Sequence, residues 1–170
     1  MNFRVQISKI KDGVLEFTCQ NDFHALDESL LDVLLQEARS TKLRRARINY
    51  HQQDSKVHEM IICLMRDTEI SVHCHYNKSE SFHLIHGRLC VVLFKDATST
   101  VLEKIYLEAV TPNCFYRLDA SIYHLVIPLS EYVIMHETTP GPFLPNETKI
   151  ADWSLTEEGA SLVNSVKFSC

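Results

Sequence analysis

The chain has 170 residues, which is most simply one domain, and 45% of them are hydrophobic and 23% charged. At this size folding buries roughly two-thirds of the surface that the unfolded chain exposes, so neither disulfides nor a metal is needed to hold a core together. The formal net charge of -5 disfavours non-specific nucleic-acid binding, and small molecules are the expected ligands.

The N-terminal region predicts a short β-hairpin followed by one long helix. The alternating stretches RVQIS and VLEFTC flank Asp12-Gly13, a favoured hairpin turn. From Leu26 to Ser40, leucines at 30, 31, 34 and 35 form one apolar helix face. The start lacks the apolar block of a secretory signal, and no run is long enough to span a bilayer, so a cytoplasmic location is expected.

From Arg44 onward the sequence changes to nine short apolar or alternating runs, divided by polar and turn-forming residues. Their connections are too short for crossover helices, which favours antiparallel pairing in a sandwich or barrel with the helix packed outside. The proline-rich stretch after Thr139 is expected to lie across the surface, anchored by Phe143 and Trp153. We therefore predict three parts: a hairpin and helix extension (1–43), a β-barrel (44–140) and a C-terminal surface tail (141–170).

A histidine cluster lies in EISVHCHYNKSESFHLIHGRL, residues 69–89. Side chains alternate between the faces of a strand, so His73 and His75 are predicted to project to one side while Cys74 points away. An antiparallel return after the loop at 76–79 would bring Glu80 beside His75. Two imidazoles and a carboxylate form three-quarters of a ligand set for Zn, Fe(II), Mn, Co or Ni.

Strand geometry excludes the other histidines of this stretch from the same ion. His83 has the opposite parity from Glu80 and is expected to face outward. His86 has the matching parity but lies roughly 20 Å along the strand. A fourth ligand must come from another strand, and the best candidate is His124, because an imidazole in the apolar run SIYHLVIP needs a partner if it is buried.

The stretch HCHYNKSESFHLIHG resembles the first motif of the cupin superfamily, which is H-x-H, three or four residues, E, six residues and G. His73, His75, Glu80 and Gly87 match with every spacing intact, whereas Asp67 stands where the motif begins with glycine. The metal-ligand assignment is therefore strong for the two histidines and the glutamate.

The second cupin motif, P-x-G-x-x-H, falls on DASIYH, in which His124 is kept. Asp119 and Ser121 stand at the proline and glycine positions. Both residue types form turns, so the turn before His124 can still form, with a backbone that can differ.

Longer blocks resemble the WbuC-type cupin-fold metalloprotein family, known mainly from bacterial polysaccharide gene clusters. They are RRARINYHQ, GRLCVVLFKD, YHLVIPL, HETTPGPFLP and ADWSLTEEG, which together cover roughly residues 26–159. The resemblance implies an all-β fold, a cupin double-stranded β-helix or jelly-roll barrel with one N-terminal α-helix packed outside, and one divalent metal held by histidines inside. The family tends to have a lysine where this chain has Thr139, so any ligand contact of that lysine is absent or replaced here. Glu137 matches an acidic position of the family.

The preferred hypothesis is a metalloenzyme of polysaccharide biosynthesis that isomerises or epimerises a sugar or nucleotide-sugar. The metal would act as a Lewis acid, with Glu80 or His51 as the general base. An Fe(II)-dependent dioxygenase and a non-enzymatic cupin that binds a small molecule are the alternatives. The candidate pocket residues are Asn49, His51, Phe82, Tyr123 and Glu137.

Two further expectations concern partners. Arg45 and Arg47 are candidates for binding the phosphates of a nucleotide-sugar, since guanidinium groups bind phosphate in bidentate fashion; the alternative is a solvated linker between helix and barrel. Cupin barrels commonly pair through exposed strands and N-terminal extensions, so a homodimer is expected, with neither nucleic acid nor membrane as a partner.

Overall fold

A computed structural model describes residues 6–11, 14–18, 25–95, 98–119 and 121–170. The predicted hairpin turn at Asp12-Gly13 lies outside these ranges. The helices are α1 (Glu28–Ser40) and α2 (Glu157–Phe168), and short 3-10 turns span Pro145–Glu147 and Asp152–Leu155. The strands are β1 (Gln6–Lys11), β2 (Val14–Thr18), β3 (Arg45–Asn49), β4 (Val57–Met65), β5 (His73–His75), β6 (Glu80–His86), β7 (Arg88–Phe94), β8 (Val101–Glu108), β9 (Phe115–Leu118), β10 (Tyr123–Pro128), β11 (Tyr132–Pro140) and β12 (Thr148–Ile150).

The strands form two sheets that pack face to face. One has the order β1-β2-β3-β4-β11-β6-β9 and the other the order β12-β5-β10-β7-β8. The pairing is antiparallel except between β2 and β3. Large apolar side chains from both sheets fill the space between them, among them Leu64, Phe82, Val91, Val126 and Met135. We call the side of each sheet that faces the other its inner face. This is the predicted jelly-roll fold.

Helix α1 covers the outer face of the seven-stranded sheet, as its leucine pattern predicts. Asp27 caps its start, with Oδ1 accepting a hydrogen bond from the Leu30 N–H at 2.9 Å. Leu30, Leu34 and Ala38 are buried against Ile48 and other residues of β3 and β4. Burial of each leucine stabilises the contact by about 2 kcal/mol.

Helix α2 was not predicted from the sequence. It packs on the outer face of the five-stranded sheet, where Val166 joins a cluster that includes Leu125. Trp153 anchors the segment before it, with its ring centroid 5.4 Å from that of Phe94. Phe143, the other expected anchor, is 51% exposed, and its ring packs over the Lys78 ammonium group. The three-part division of the chain stays a prediction. Among the described residues no helix has the length and apolar character needed to cross a membrane.

Candidate metal centre

Three imidazoles from two adjacent strands meet on the inner face of the five-stranded sheet. His73 on β5 lies opposite His124 on β10, and their ring centroids are 4.4 Å apart. The ring of His75, two residues along β5, is 5.0 Å from that of His73. One ring nitrogen of each residue lies within 4.8 Å of the others. The three side chains are thus arranged as a set that can hold one metal ion.

Hydrogen bonds at Nδ1 fix how these rings are oriented. Nδ1 of His73 lies 2.8 Å from the Ser71 carbonyl oxygen, and Nδ1 of His124 lies 3.0 Å from that of Ile122. Since a carbonyl only accepts, each Nδ1 carries the proton and each Nε2 keeps a lone pair. Nδ1 of His75 lies 3.0 Å from Oγ1 of Thr148 on β12. Partners of this kind hold a metal-binding imidazole in one tautomer and orientation.

Glu80 approaches the imidazoles from the opposite sheet. Its carboxylate oxygens lie 3.0 Å from Nε2 of His124 and 3.5 Å from Nε2 of His75. The predicted hairpin between β5 and β6 was wrong, because β5 pairs with β10 and β12 whereas β6 pairs with β11 and β9. The loop at 76–79 crosses from one sheet to the other. Glu80 is close to His75, as expected, because the two side chains face each other between the sheets.

Charges in this site act strongly on one another. Burial alone would raise the pKa of the Glu80 carboxyl group, but His124 and His75 outweigh burial and lower the pKa well below its usual range. Burial would lower the pKa of His124, but the facing Glu80 carboxylate raises it. Burial and the neighbouring His124 lower the pKa of His73 to about 4. His73 is therefore a neutral ligand at physiological pH.

The contact between His124 and Glu80 tests whether a metal fits. Nε2 of His124 and Oε1 of Glu80 are buried, and neither makes a hydrogen bond within the described part of the chain although they lie 3.0 Å apart. Two acceptors at this distance require a positive charge between them, either a proton or a cation. Ligands about 2.1 Å from one ion lie roughly 3.0–3.5 Å apart, which matches the separations from Glu80. The residues present therefore fit a metal ion.

His83 and His86 lie away from this centre. His83 is exposed, as its parity predicts. His86 was expected to share the parity of Glu80, but a register shift at Ile134/Met135 turns it to the outer face, where it stacks on Tyr132 with ring centroids 4.5 Å apart. A bulge of this kind changes the face to which the following side chains point, and the spacing of residues in the sequence does not reveal it.

A row of inner-face residues crosses the seven-stranded sheet beside Glu80. Strand register places it in the order Asn49, Met60, Glu137, Phe82 and Tyr116. Oδ1 of Asn49 and the hydroxyl of Tyr116 are buried without a hydrogen-bond partner among the described residues. Burial and the nearby Glu80 raise the pKa of Glu137 to about 7. Sequence reasoning selected Asn49, Phe82 and Glu137 as pocket candidates but missed Tyr116.

Two other pocket candidates take different positions. His51 stacks on His58, with ring centroids 3.9 Å apart and ring planes 11° apart. His58 is 5% exposed, and its Nε2 also lacks a hydrogen-bond partner in the described ranges. Tyr123 was expected at the mouth of the pocket; it instead packs with Leu125 under α2. It directly precedes His124 in a strand, so the two must face opposite sides.

Both arginine candidates lie on β3 at inner-face positions. Arg45 pairs with Leu64 and Arg47 with Ile62, two residues that belong to or pack against the core between the sheets. A guanidinium nitrogen of Arg45 lies 3.5 Å from the Glu69 carbonyl oxygen. Arg45 and Arg47 thus belong to β3, Arg47 is exposed, and Lys42 and Leu43 form an exposed turn between α1 and this strand.

The turn before His124 keeps a glycine-like backbone although Ser121 occupies the position. Ser121 has φ 72°, in the left-handed region that disfavours residues with a Cβ. Its N–H donates to the His75 carbonyl oxygen at 2.8 Å. The turn forms as expected, and this hydrogen bond supports its left-handed conformation.

The packed sheets and the imidazole cluster define a cupin-fold protein with a candidate metal site. A family model described as a domain of unknown function (DUF6016) matches residues 26–107. No curated protein matches the sequence significantly.

Solved structures of cupin fold resemble the chain. The capsular polysaccharide assembling protein CapF from Staphylococcus aureus has a TM-score of 0.51 at 13% identity, over 61% of this chain and 31% of CapF. Protein SO0799 from Shewanella oneidensis has a TM-score of 0.52 at 7% identity, over 70% and 75% of the two chains. A chain from the structures of the DMSP lyases RdDddP and RnDddQII has a TM-score of 0.50 at 12% identity, over 64% and 53%. At these identities the likeness concerns the fold alone, and the chain spans about a third of the length of CapF.

Proposed function

We propose that the chain is a WbuC-type cupin that holds one divalent ion with His73, His75, His124 and Glu80 and acts on a sugar or nucleotide-sugar in polysaccharide biosynthesis. The proposed reaction is isomerisation or epimerisation. The observation that carries the proposal is a set of buried polar atoms that make no hydrogen bond among the described residues: Oε1 of Glu80, Nε2 of His124, Oδ1 of Asn49 and the Tyr116 hydroxyl. Because an unpaired buried polar atom costs about 1–3 kcal/mol, such a set is typical of a surface that a polar ligand completes.

The donor set suits Zn, Fe, Ni, Mn or Co, because imidazole and carboxylate ligands are common to all five. When bound, such an ion supplies Lewis-acid chemistry, which makes a proton next to a carbonyl group more acidic. His73 and His124 contribute neutral donors whose tautomers are fixed by backbone carbonyls. These imidazoles would hold the ion on the inner face.

Glu137 is the best general base that the inner face offers. Its pKa of about 7 suits a group that takes up and returns a proton near neutral pH. Glu80 is less suited, because its pKa lies well below the usual range. His51 is also less suited, since Nδ1 accepts from the Glu59 N–H at 3.0 Å and burial lowers its pKa.

Arg47 would bind the phosphates of a nucleotide-sugar, with Arg45 beside it. Arg47 acts electrostatically on Glu137, which places its charge within range of the inner face. Substitution Arg47→Gln should weaken binding of a nucleotide-sugar and leave binding of the free sugar unchanged. Equal weakening of both would contradict this role.

The chain would act as a homodimer that pairs through exposed strands. Strand β8, at the edge of its sheet, exposes Leu102 by 56% and Tyr106 by 50%. Paired edge strands would cover such side chains. A monomeric mass by light scattering at micromolar concentration would contradict this assembly.

The reaction is tested by proton exchange. Metal-loaded protein is incubated in deuterium oxide with a panel of sugars and nucleotide-sugars, and deuterium at carbon is measured by mass spectrometry. An isomerase or epimerase that works through proton abstraction incorporates deuterium next to the carbonyl group. Glu137→Gln should abolish the exchange, whereas Glu103→Gln, at an exposed position on β8, should retain it.

Other outcomes separate the alternatives. Oxygen consumption that depends on Fe(II) and on a sugar would replace the isomerase with a dioxygenase. A sugar that binds tightly and is recovered without deuterium after long incubation would show a binding protein. Failure of every sugar to bind or exchange would overturn the proposed substrate class.

A further inference from the structure

We propose that Lys78 is the anion-binding residue of this site, so that the ligand carries a carboxylate or phosphate group close to Glu80. For the sugar part of the ligand this inference rests on the proposed function. Recognition of an anion by Lys78 does not require any particular reaction.

Lys78 is mostly buried, and its charge acts on the Glu137 carboxyl group without a direct ion pair among the described residues. It is 8% exposed, and within the described ranges its ammonium group makes neither an ion pair nor a hydrogen bond. Its contact is the ring of Phe143, whose centroid lies 5.1 Å from Nζ. Lysine is rarely buried unless it is paired, and an aromatic ring compensates only in part for lost hydration. The ammonium group thus lacks the acceptor that an anionic ligand would supply.

The segment that carries Lys78 is held in place on both sides. Asn77, in the left-handed region at φ 60°, forms the turn before it. The Ser79 carbonyl oxygen accepts a hydrogen bond from Oγ1 of Thr139 at 2.9 Å, and the Ser79 hydroxyl accepts one from Arg117 at 3.0 Å. A charge that is already positioned loses little conformational entropy when a ligand binds.

The charges around the metal centre also favour an anion. Glu137 on the inner face interacts electrostatically with Glu80, Arg47 and Lys78. A divalent ion held beside Lys78 would add two positive charges to this group. A ligand with one or two negative charges would offset part of that charge, whereas a neutral sugar would offset none of it.

The test compares matched ligands on metal-loaded protein by isothermal titration calorimetry. The probes are D-glucuronate, D-glucose, malonate and inorganic phosphate. We expect D-glucuronate to bind at least about tenfold more tightly than D-glucose, since a hydrogen bond to a charged group contributes more than one between neutral groups. Lys78→Met should remove this preference. Lys149→Met, at an exposed position on β12, should retain it.

Lys78→Gln provides a second neutral variant if Lys78→Met does not fold. A readout without any variant is reductive methylation of the unaltered protein. The bound anion should protect Lys78 from this modification. Equal binding of D-glucuronate and D-glucose, or a preference that survives in both Lys78 variants, overturns the inference. The inference is also overturned if no anion of the panel binds more weakly to the Lys78 variants than to the unaltered protein.

The two proposals fail differently in this experiment. If malonate or phosphate binds through Lys78 and neither sugar binds, the sugar assignment fails while the anion site stands. If D-glucose binds as well as D-glucuronate, the sugar assignment stands and the role of Lys78 fails. Tight binding of phosphate with weak binding of both carboxylates identifies a phosphate as the anionic group.

Discussion

Nε2 of His124 lies 3.0 Å from Oε1 of Glu80, and the two residues belong to different sheets. With the His124 proton fixed on Nδ1, these atoms repel each other unless a positive charge lies between them. A metal ion held there would join the five-stranded sheet to the seven-stranded sheet. Metal binding and fold stability are therefore expected to be coupled.

The first prediction concerns metal content. His124→Ala should lose stoichiometric metal, because it removes a ligand and leaves the Glu80 carboxylate without its closest partner. Metal at a hundredfold excess over its dissociation constant stabilises a protein by about 2.7 kcal/mol, so the melting temperature should rise by about 5–10 °C. This rise should disappear in the variant. Elemental analysis and differential scanning calorimetry measure the two effects.

His83→Ala is the matched control, since His83 lies on the same strand as Glu80 but is exposed. It should keep both the metal and the thermal shift. Equal metal content in both variants would remove His124 from the ligand set.

Residue spacing predicted which side chains share a face wherever the pattern lies within one strand or one helix. The alternation of His73, Cys74 and His75 predicted which side chains share a face, and the leucine pattern of α1 predicted its buried side. Pairing between strands was harder to predict, because β5 has only three residues and its partner depends on distant parts of the chain. The bulge that turns His86 outward likewise depends on β11 and has no signal in β6.

The second prediction concerns the pH dependence of stability in metal-free protein. Glu137 keeps its proton up to about pH 7 in the folded state, whereas the unfolded chain loses it near the ordinary value for glutamate. The folded state thus binds more protons between these values, so the stability that Glu137 contributes falls as pH rises from about 4.5 to about 7. Glu137→Gln should remove this loss. It should raise the free energy of unfolding by about 2–3 kcal/mol at about pH 8 and by much less at about pH 5.

Urea unfolding at both pH values measures this difference. Glu103→Gln, at an exposed position, should change stability equally at both pH values. If Glu137→Gln is no more stabilising at high pH than at low pH, the carboxyl group is not held protonated by burial.

The third prediction concerns the turn before His124. A left-handed conformation costs a residue with a Cβ roughly 1–2 kcal/mol, and glycine avoids this cost. The unfolded chain with glycine has more conformational entropy, which offsets part of the gain. Ser121→Gly should therefore raise the free energy of unfolding by up to about 1 kcal/mol. Gly87→Ala should do the opposite, because Gly87 has φ 85° and a Cβ there would lie 2.6 Å from the Tyr132 carbonyl oxygen. Destabilisation by Ser121→Gly in urea unfolding would contradict the assigned strain.

Sequence reasoning missed Lys78 and Tyr116 for a common reason. A lysine in a polar loop and a tyrosine in the short run NCFYRLD look like ordinary surface and core residues. What distinguishes them is burial without a partner, and burial depends on elements that are distant in sequence. Lys78 is covered by Phe143, and Tyr116 lies beside Phe82 with ring centroids 5.5 Å apart.

The fourth prediction separates ligand binding from stability at Tyr116. Its hydroxyl group is buried on the inner face without a hydrogen-bond partner among the described residues, so it contributes little to the fold. Tyr116→Phe should leave the free energy of unfolding unchanged or raise it by about 0.5–1 kcal/mol. It should weaken binding of a polar ligand by about tenfold, because one hydrogen bond is lost. Tyr132→Phe, on the outer face of the same sheet, should change neither quantity. A variant that loses stability and keeps its affinity would mean that the hydroxyl group supports the fold and not the ligand.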